Sequence, residues 1–148
     1  MNGKLFGPGE GEVLAMGPNT ITIKANSEMT GGTFFLSETS IAARAPGPPP
    51  HTHDTITDMF YVLEGTLTVL LGDEEHAAGP GAFVCAPPGV VHTFRNDSDE
   101  PVRFLNANTP GGFELYMREL SANAADGPMT SEQIGAIAAR YDFTPVAG

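Results

Sequence analysis

Three of the four histidines stand in two short segments that could together hold a metal ion. His51 and His53 are separated by one residue, and alternate residues of an extended strand point to the same face. Asp58 follows five residues after His53, close enough for a short loop to return its carboxylate to that point. His92 lies further along the chain, in an apolar run after Pro87-Pro88-Gly89. Imidazole and carboxylate ligands of this kind suit one divalent transition metal, namely Fe, Mn, Co, Ni, Cu or Zn.

Other polar residues are weaker candidates. His76 stands in an acidic turn, and we expect it to be a solvated surface residue. Asp54, next to His53, could replace Asp58, although an acid in such a loop is more often exposed. Arg103 could face the interior and meet an anionic or enolate substrate, or it could point outward and pair with surface acids. Cys85 is interpreted as a small buried apolar residue.

The composition excludes several other kinds of function. The chain has 148 residues, with 18 acidic and 7 basic side chains and a formal net charge of −11 when histidines are neutral. This charge opposes binding to nucleic acid and to anionic membrane surfaces. The single cysteine excludes an intrachain disulfide and a multi-cysteine zinc site. No apolar run is long enough for a signal peptide or a membrane span, so the predicted location is cytoplasmic.

The elements that must position these residues are short β-strands, from Glu12 to about Leu105. Runs rich in Val, Ile, Phe, Thr and Leu are separated by clusters of Gly, Pro, Asn and Asp. Many short strands with close turns predict a sandwich or barrel, because closing or doubling a sheet protects its edges. The predicted strands are Glu12–Met16, Thr20–Lys24, Gly32–Ala43, Asp58–Leu71, Ala82–Ala86, Val90–Arg95 and Val102–Asn108.

The last part of the chain changes to helical spacing. Apolar side chains recur there at i, i+3, i+4 and i+7, and Thr130 with Gln133 predicts a capping box for the second of two helices. We expect both helices to pack on the outside of the barrel. The predicted organisation is an N-terminal extension at 1–11, a barrel at 12–110 and a helical tail at 111–148. The apolar positions are Phe113, Tyr116, Met117 and Leu120, then Ile134, Ile137, Ala138 and Tyr141.

The two histidine segments resemble the two sequence motifs of the cupin superfamily. The first segment ends at Gly65 and has Asp58 where the family usually has Glu. Its leading glycine, Gly47, lies two residues nearer the histidine pair than is usual, and Ala45 holds the expected position. The second segment, 81–96, has the Gly, Pro, Gly, His and Asn of the second motif in their places.

This resemblance implies a fold and a ligand set. The fold would be all-β, a small antiparallel cupin β-barrel of the jelly-roll type with short C-terminal helices. The metal would lie inside, held by the three histidines and Asp58. Asp is shorter than Glu by one carbon–carbon bond, ~1.5 Å, so Asp58 either binds the metal or hydrogen-bonds a metal-bound water. Small barrels of this family also pair as dimers, which implies a homodimer, with the segment Phe34–Leu36 contributing to its face.

The resemblance also implies an activity. The segments 60–65 and 109–114 are loosely similar to the quercetin dioxygenase-like branch, which implies a metal-dependent dioxygenase. Its substrate would be a small oxygen-bearing, aromatic or polyketide-like molecule. The acid in that branch accepts a proton from the substrate hydroxyl, which implies a catalytic role for Asp58. The same ligands serve isomerases, cyclases, decarboxylases and lyases in the family, and a non-catalytic barrel that binds a metal or small ligand is a further alternative.

Strand parity predicts the walls of a substrate pocket. If Asp58 faces inward, then Phe60 and Val62 do so too, and if His92 faces inward, then Phe94 follows. These side chains would form an apolar wall, with Arg103 as a candidate anchor for a charged substrate. Ordinary barrel packing is the alternative for each apolar residue, because a small barrel fills its interior with side chains.

Overall fold

A computed structural model of the chain describes residues 3–127 and 129–146, and it confirms an all-β jelly-roll architecture with short helices. Residues 1, 2, 128, 147 and 148 of the predicted extension and tail lie outside the described residues. The elements are β1 Glu12–Met16, β2 Asn19–Ala25, α1 Ser27–Thr30, β3 Phe35–Ile41, β4 His51–Thr52, β5 Thr57–Glu64, β6 Leu67–Leu71, β7 Glu74–Ala78, β8 Phe83–Ala86, β9 His92–Arg95, β10 Val102–Thr109, α2 Glu114–Ala124, α3 Ser131–Ala138 and β11 Thr144–Pro145.

Two antiparallel sheets carry the candidate ligands. The six-stranded sheet has the order β1-β2-β3-β10-β5-β8, and the five-stranded sheet has the order β11-β4-β9-β6-β7. Asp58 lies on β5 of the first sheet. His51 on β4 and His92 on β9 of the second sheet are direct partners across the ladder. A site that uses all three residues therefore lies between the two sheets.

Two apolar clusters fill the interior. The barrel cluster joins residues of both sheets, which shows that the sheets pack face to face. The helix-side cluster joins the two C-terminal helices to β2 and β3. The buried members of the barrel cluster are Ile41, Ala45, Phe60, Val62, Leu67, Val69, Ala78, Val102 and Phe104. Those of the helix-side cluster are Ile21, Ile23, Phe35, Ile56, Phe113, Tyr116, Ile137, Ala138 and Phe143.

The C-terminal helices form where the apolar spacing predicts them. Thr130 and Gln133 make the predicted capping box, in which the Gln133 N–H donates to the threonine hydroxyl at 3.1 Å and the Thr130 N–H donates to the glutamine carbonyl at 2.9 Å. The first helix, α2, extends to Ala124 and so includes the start of the loop predicted at 122–127. No helix in the described ranges has the length and apolar character to cross a membrane.

Several strand predictions were wrong in detail. The segment predicted as one strand, 58–71, is two strands, because the chain turns at Gly65, whose φ is +80°. A side chain would not fit at this turn, since an added Cβ would lie 2.6 Å from the carbonyl oxygen of Pro101. His76 lies in β7 rather than in a turn, although its side chain is exposed as predicted. Cys85 is exposed, which contradicts the buried interpretation, because it points outward from β8 at the edge of the sheet.

Gly47 allows a close approach between the chain before β4 and the strand β9. An added Cβ would lie 1.5 Å from the carbonyl oxygen of Phe94. We expect Gly47→Ala to lower the free energy of unfolding by about 3 kcal/mol, since overpacking forces backbone shifts. Urea unfolding measures the change. Gly79→Ala is the control, because its added Cβ meets nothing within 4 Å. Equal midpoints for the two variants would contradict the close contact.

Candidate metal centre

Four side chains meet between the sheets. His51 belongs to β4, His53 directly follows β4, Asp58 belongs to β5 and His92 belongs to β9. His51, His53, Asp58 and His92 are 4%, 2%, 5% and 1% exposed. One ligand atom from each lies within 4.8 Å of all the others. The structure therefore brings together the donor set that the histidine spacing predicts.

Each of the three imidazoles is oriented by a backbone carbonyl. His51 and His92 each place Nδ1 beside the carbonyl oxygen two residues earlier, at 2.8 and 3.0 Å. The Nδ1 atom of His53 makes the same contact with the carbonyl oxygen of Asp142. Because a carbonyl oxygen only accepts, Nδ1 carries the proton in all three rings. With Nδ1 protonated, Nε2 of each neutral ring carries the lone pair that would bind a metal.

The Asp58 carboxylate reaches the histidines in spite of its short side chain. Its Oδ1 atom accepts hydrogen bonds from the side-chain amides of Asn106 and Asn108, at 2.7 and 2.6 Å. Its Oδ2 atom lies 2.9 Å from Nε2 of His92 and 3.4 Å from Nε2 of His53. The two amides therefore direct one carboxylate oxygen toward the three rings.

Burial and neighbouring groups set the protonation states of the site. Burial lowers the pKa of His51 to about 4. Burial alone would raise the pKa of Asp58, but the adjacent rings of His53 and His92 and the amide of Asn106 lower it to about 2. Burial also acts to lower the pKa of His53, but the Asp58 carboxylate has the opposite effect, and the pKa of His53 lies above its usual value. A neutral His51 and an ionised Asp58 are the forms that bind a cation, whereas a charged His53 would have to release a proton.

One buried ring nitrogen of the four donor residues is left without a hydrogen bond. His53 Nε2 is buried and makes no hydrogen bond. Leaving a buried polar atom unpaired costs about 1–3 kcal/mol, so such an atom suggests a missing ligand. A divalent ion among the three Nε2 atoms and Asp58 Oδ2 would satisfy it, and nitrogen with oxygen donors suits the transition metals. The residues present therefore fit a metal.

Aromatic side chains adjoin the histidines on both sides. On the helix side, the ring of Phe143 stacks on His51 with centroids 4.0 Å apart and an interplanar angle of 14°. The ring of Phe113 meets His53 edge to face at 5.8 Å. On the barrel side, the ring of Phe60 lies 6.3 Å from that of His92. The ligands therefore lie in an apolar, enclosed environment.

The predicted pocket residues have different positions. Phe60 and Val62 are buried at 2% and 0% exposure in the barrel cluster. Phe94 is partly buried, and its ring lies 5.4 Å from that of Phe60. These three residues lie inside the barrel, as parity predicts. Among them, Phe60 has a ring beside a histidine of the donor set.

Arg103 lies on the outer face of β10, so the expectation that it lines the pocket is wrong. Its guanidinium donates to Glu38 and, at 2.8 Å, to Glu64. Its neighbours Val102 and Phe104 are 0% and 1% exposed. Because successive side chains alternate across a strand, burial of these two neighbours directs Arg103 outward.

Sequence reasoning missed four residues around the donors. Asn106 and Asn108 occupy alternate positions of β10, and their burial beside Asp58 follows from the pairing of β10 with β5. Polar residues at alternate positions of a strand could have indicated them. Asp142 and Phe143 follow α3 and have no local signal, since the contact of Asp142 with His53 spans 89 positions.

Comparisons with known sequences agree with this geometry. A family model described as "Cupin domain" matches residues 37–108. The quercetin 2,3-dioxygenase of Bacillus subtilis (strain 168) is 32% identical over 112 residues, which cover 76% of this chain and 33% of that protein. The chain therefore spans about a third of the length of this relative.

Solved structures share the fold. KdgF from Halomonas sp. superposes with a TM-score of 0.66 at 18% identity, over 77% of this chain and 99% of that one. The polyketide cyclase RemF from Streptomyces resistomycificus superposes with a TM-score of 0.63 at 23% identity, over 73% of this chain and 80% of that one. At these identities the likeness shows the fold alone. Residues 37–108, which run from β3 to β10, are therefore a cupin domain, and the architecture of the chain is the one that these solved structures share.

Proposed function

We propose that the protein is a metal-dependent enzyme, most simply a dioxygenase, that acts on a small oxygen-bearing aromatic molecule. The observation that carries this proposal is the buried convergence of three imidazole Nε2 atoms and one carboxylate oxygen. One divalent ion among Fe, Ni, Mn, Co, Cu and Zn would be held there by His51, His53, His92 and Asp58. When bound, such an ion supplies a Lewis acid for a substrate oxygen.

The surroundings of the site support a neutral, apolar substrate. The rings of Phe60, Phe113 and Phe143 adjoin the histidines. An anionic substrate would approach Asp58 without a compensating side-chain cation. Lys24 contacts the carbonyl oxygens of Gly7 and Glu10, Lys4 lies over the ring of Phe6, and each arginine of the described residues is paired elsewhere. The pairs are Arg44 with Asp99, Arg95 with Glu75 and Asp97, Arg103 with Glu38 and Glu64, Arg118 with Glu12, and Arg140 with Glu119.

Asp58 has one oxygen available for chemistry. Its Oδ1 atom accepts from Asn106 and Asn108, which leaves Oδ2 facing the histidines. In the proposed reaction, Oδ2 either completes the donor set or accepts the proton of a substrate hydroxyl.

Oxygen consumption tests the dioxygenase proposal. The protein is loaded separately with Fe, Ni, Mn, Co, Cu or Zn and supplied with a panel of flavonols and other polyphenols in an oxygen electrode. We expect substrate-dependent oxygen uptake with at least one redox-active ion, and none with Zn²⁺. His92→Ala is the inactive control, and Arg103→Gln, on the outer face, is the control that keeps activity.

A non-oxidative enzyme is the alternative, since the fold likeness to a cyclase does not distinguish reaction types. The same panel incubated under argon and followed by chromatography separates the two. Substrate loss under argon, without oxygen uptake in air, would replace the dioxygenase with an isomerase, cyclase, decarboxylase or lyase. Stoichiometric metal without turnover of any compound would favour a non-catalytic binding barrel.

The partner and the location stay predictions. A homodimer is predicted, but Phe35 of the proposed face Phe34–Leu36 is fully buried in the helix-side cluster and cannot contribute to that face. Exposed apolar side chains lie instead on the outside of the six-stranded sheet, where Tyr61 and Phe83 are 44% and 60% exposed. Light scattering gives the oligomeric state. The cytoplasmic location rests on the sequence prediction.

A further inference from the structure

A short segment after α3 runs beside β4 and the two histidines His51 and His53. This C-terminal segment, residues 141–146, contains β11, which pairs with β4. The N–H of Val146 donates to the carbonyl oxygen of Pro50 at 2.8 Å and extends the pairing by one step. The C-terminal segment therefore lies along the part of the chain that presents His51 and His53.

Asp142 holds that part of the chain with both its backbone and its side chain. Its carbonyl oxygen accepts from Nδ1 of His53. Its carboxylate accepts from the backbone N–H groups of Asp54, Thr55 and Ile56 and from the Thr55 hydroxyl. Three of these distances are 2.8, 2.9 and 3.0 Å. One residue thus fixes a ligand ring and also the loop that joins His53 to Asp58.

The neighbouring Phe143 acts on the other histidine of the pair. Its ring lies parallel to that of His51, with 4.0 Å between centroids, and its side chain is 6% exposed. An imidazole whose plane is fixed holds its Nε2 lone pair in a fixed direction. Groups that orient metal ligands in this way are worth about 10–100-fold in metal affinity or activity.

We propose that Asp142 is a positioning residue of the metal centre, which fixes the ring of His53 and the loop to Asp58 from the far end of the chain. This inference rests on the proposed function, because it takes the four donors as metal ligands. Asp142 touches neither metal nor substrate. It acts through His53 and through the backbone at 54–56.

Asp142→Ala tests the inference with three measurements. Alanine keeps the main-chain carbonyl that accepts from His53 and removes only the carboxylate that holds the loop at 54–56. We expect Co²⁺ affinity to fall about 10–100-fold, the visible absorption spectrum of the bound Co²⁺ to change, and the downfield NMR signal of the His53 Nδ1–H to shift and to exchange faster with solvent, because the carbonyl and the ring are no longer held in register. Asp142→Asn keeps one carboxamide oxygen as an acceptor, so we expect a smaller loss of affinity. It also covers the case in which the alanine variant does not fold.

Asp99→Ala is the matched control. It removes the same charge from a pair with Arg44 in which the Asp99 side chain is 82% exposed, and should leave all three measurements unchanged. A structural role alone would lower the unfolding free energy of Asp142→Ala but leave the Co²⁺ spectrum and the His53 signal as in the wild type, and that result would overturn the inference. If the wild-type protein binds no Co²⁺ but the His53 signal depends on Asp142, the proposed metal function fails while the positioning of His53 stands.

Discussion

Added divalent metal is expected to stabilise the wild-type protein by about 4 kcal/mol when its free concentration is 1,000 times the dissociation constant. The reason is that the four donors converge only in the folded chain, where one ligand atom from each lies within 4.8 Å of the others. His92→Ala removes a donor that is 1% exposed and faces Asp58, so this variant should lose most of that stabilisation. Thermal or urea unfolding, with Co²⁺, Ni²⁺ or Zn²⁺ and again with a chelator, measures the difference.

His76→Ala provides the control for surface chelation. His76 is the histidine outside the donor set, and its side chain is 52% exposed on β7. This variant should keep the full metal-dependent stabilisation. The metal centre would be ruled out if His51→Ala and His92→Ala were stabilised by added metal as strongly as the wild type.

Phe60→Ala is expected to lower the free energy of unfolding by about 3–5 kcal/mol, the cost of a large buried ring and the cavity that it leaves. Phe60 is 2% exposed. Its ring lies 5.4 Å from that of Phe94 and 5.9 Å from that of Phe104, measured between centroids. Urea unfolding of the two proteins gives the difference.

Tyr61→Ala is the matched control for this large effect. Tyr61 is the next residue of β5, points to the opposite face and is 44% exposed. Loss of the Tyr61 ring should lower the free energy of unfolding by about 1 kcal/mol or less, which is the contribution of one cross-strand side-chain pair, here with Phe83. A cost of the same small size for Phe60→Ala would mean that the Phe60 ring faces open space for a substrate rather than packed core.

Each candidate donor could be predicted from a local signal, and the convergence of the four from the resemblance to two cupin motifs. His51 and His53 share a strand face through their spacing, and the glycine and proline positions before His92 match a motif. The capping box at Thr130 was equally local, since both hydrogen bonds span three residues. Short-range geometry of this kind can be inferred directly from the order of residues.

The supporting residues could not be predicted, because their contacts join distant parts of the chain. Asn106 reaches Asp58 across 48 positions, and Asp142 reaches His53 across 89. The direction of Arg103 differs from these contacts, because the sequence left two alternatives open. The burial of its neighbours Val102 and Phe104 selects the outward alternative, in which Arg103 pairs with surface acids.

The long reach of Asp142 has a consequence for biosynthesis. A chain that grows from its N-terminus contains all four donors once His92 has been made, about fifty residues before Asp142 follows. In that interval the ring of His53 lacks the carbonyl that orients it. An ion captured by the nascent chain would therefore meet a His53 ring of undefined direction. We expect discrimination between metals to begin only after residues 141–146 have been translated and β11 has paired with β4.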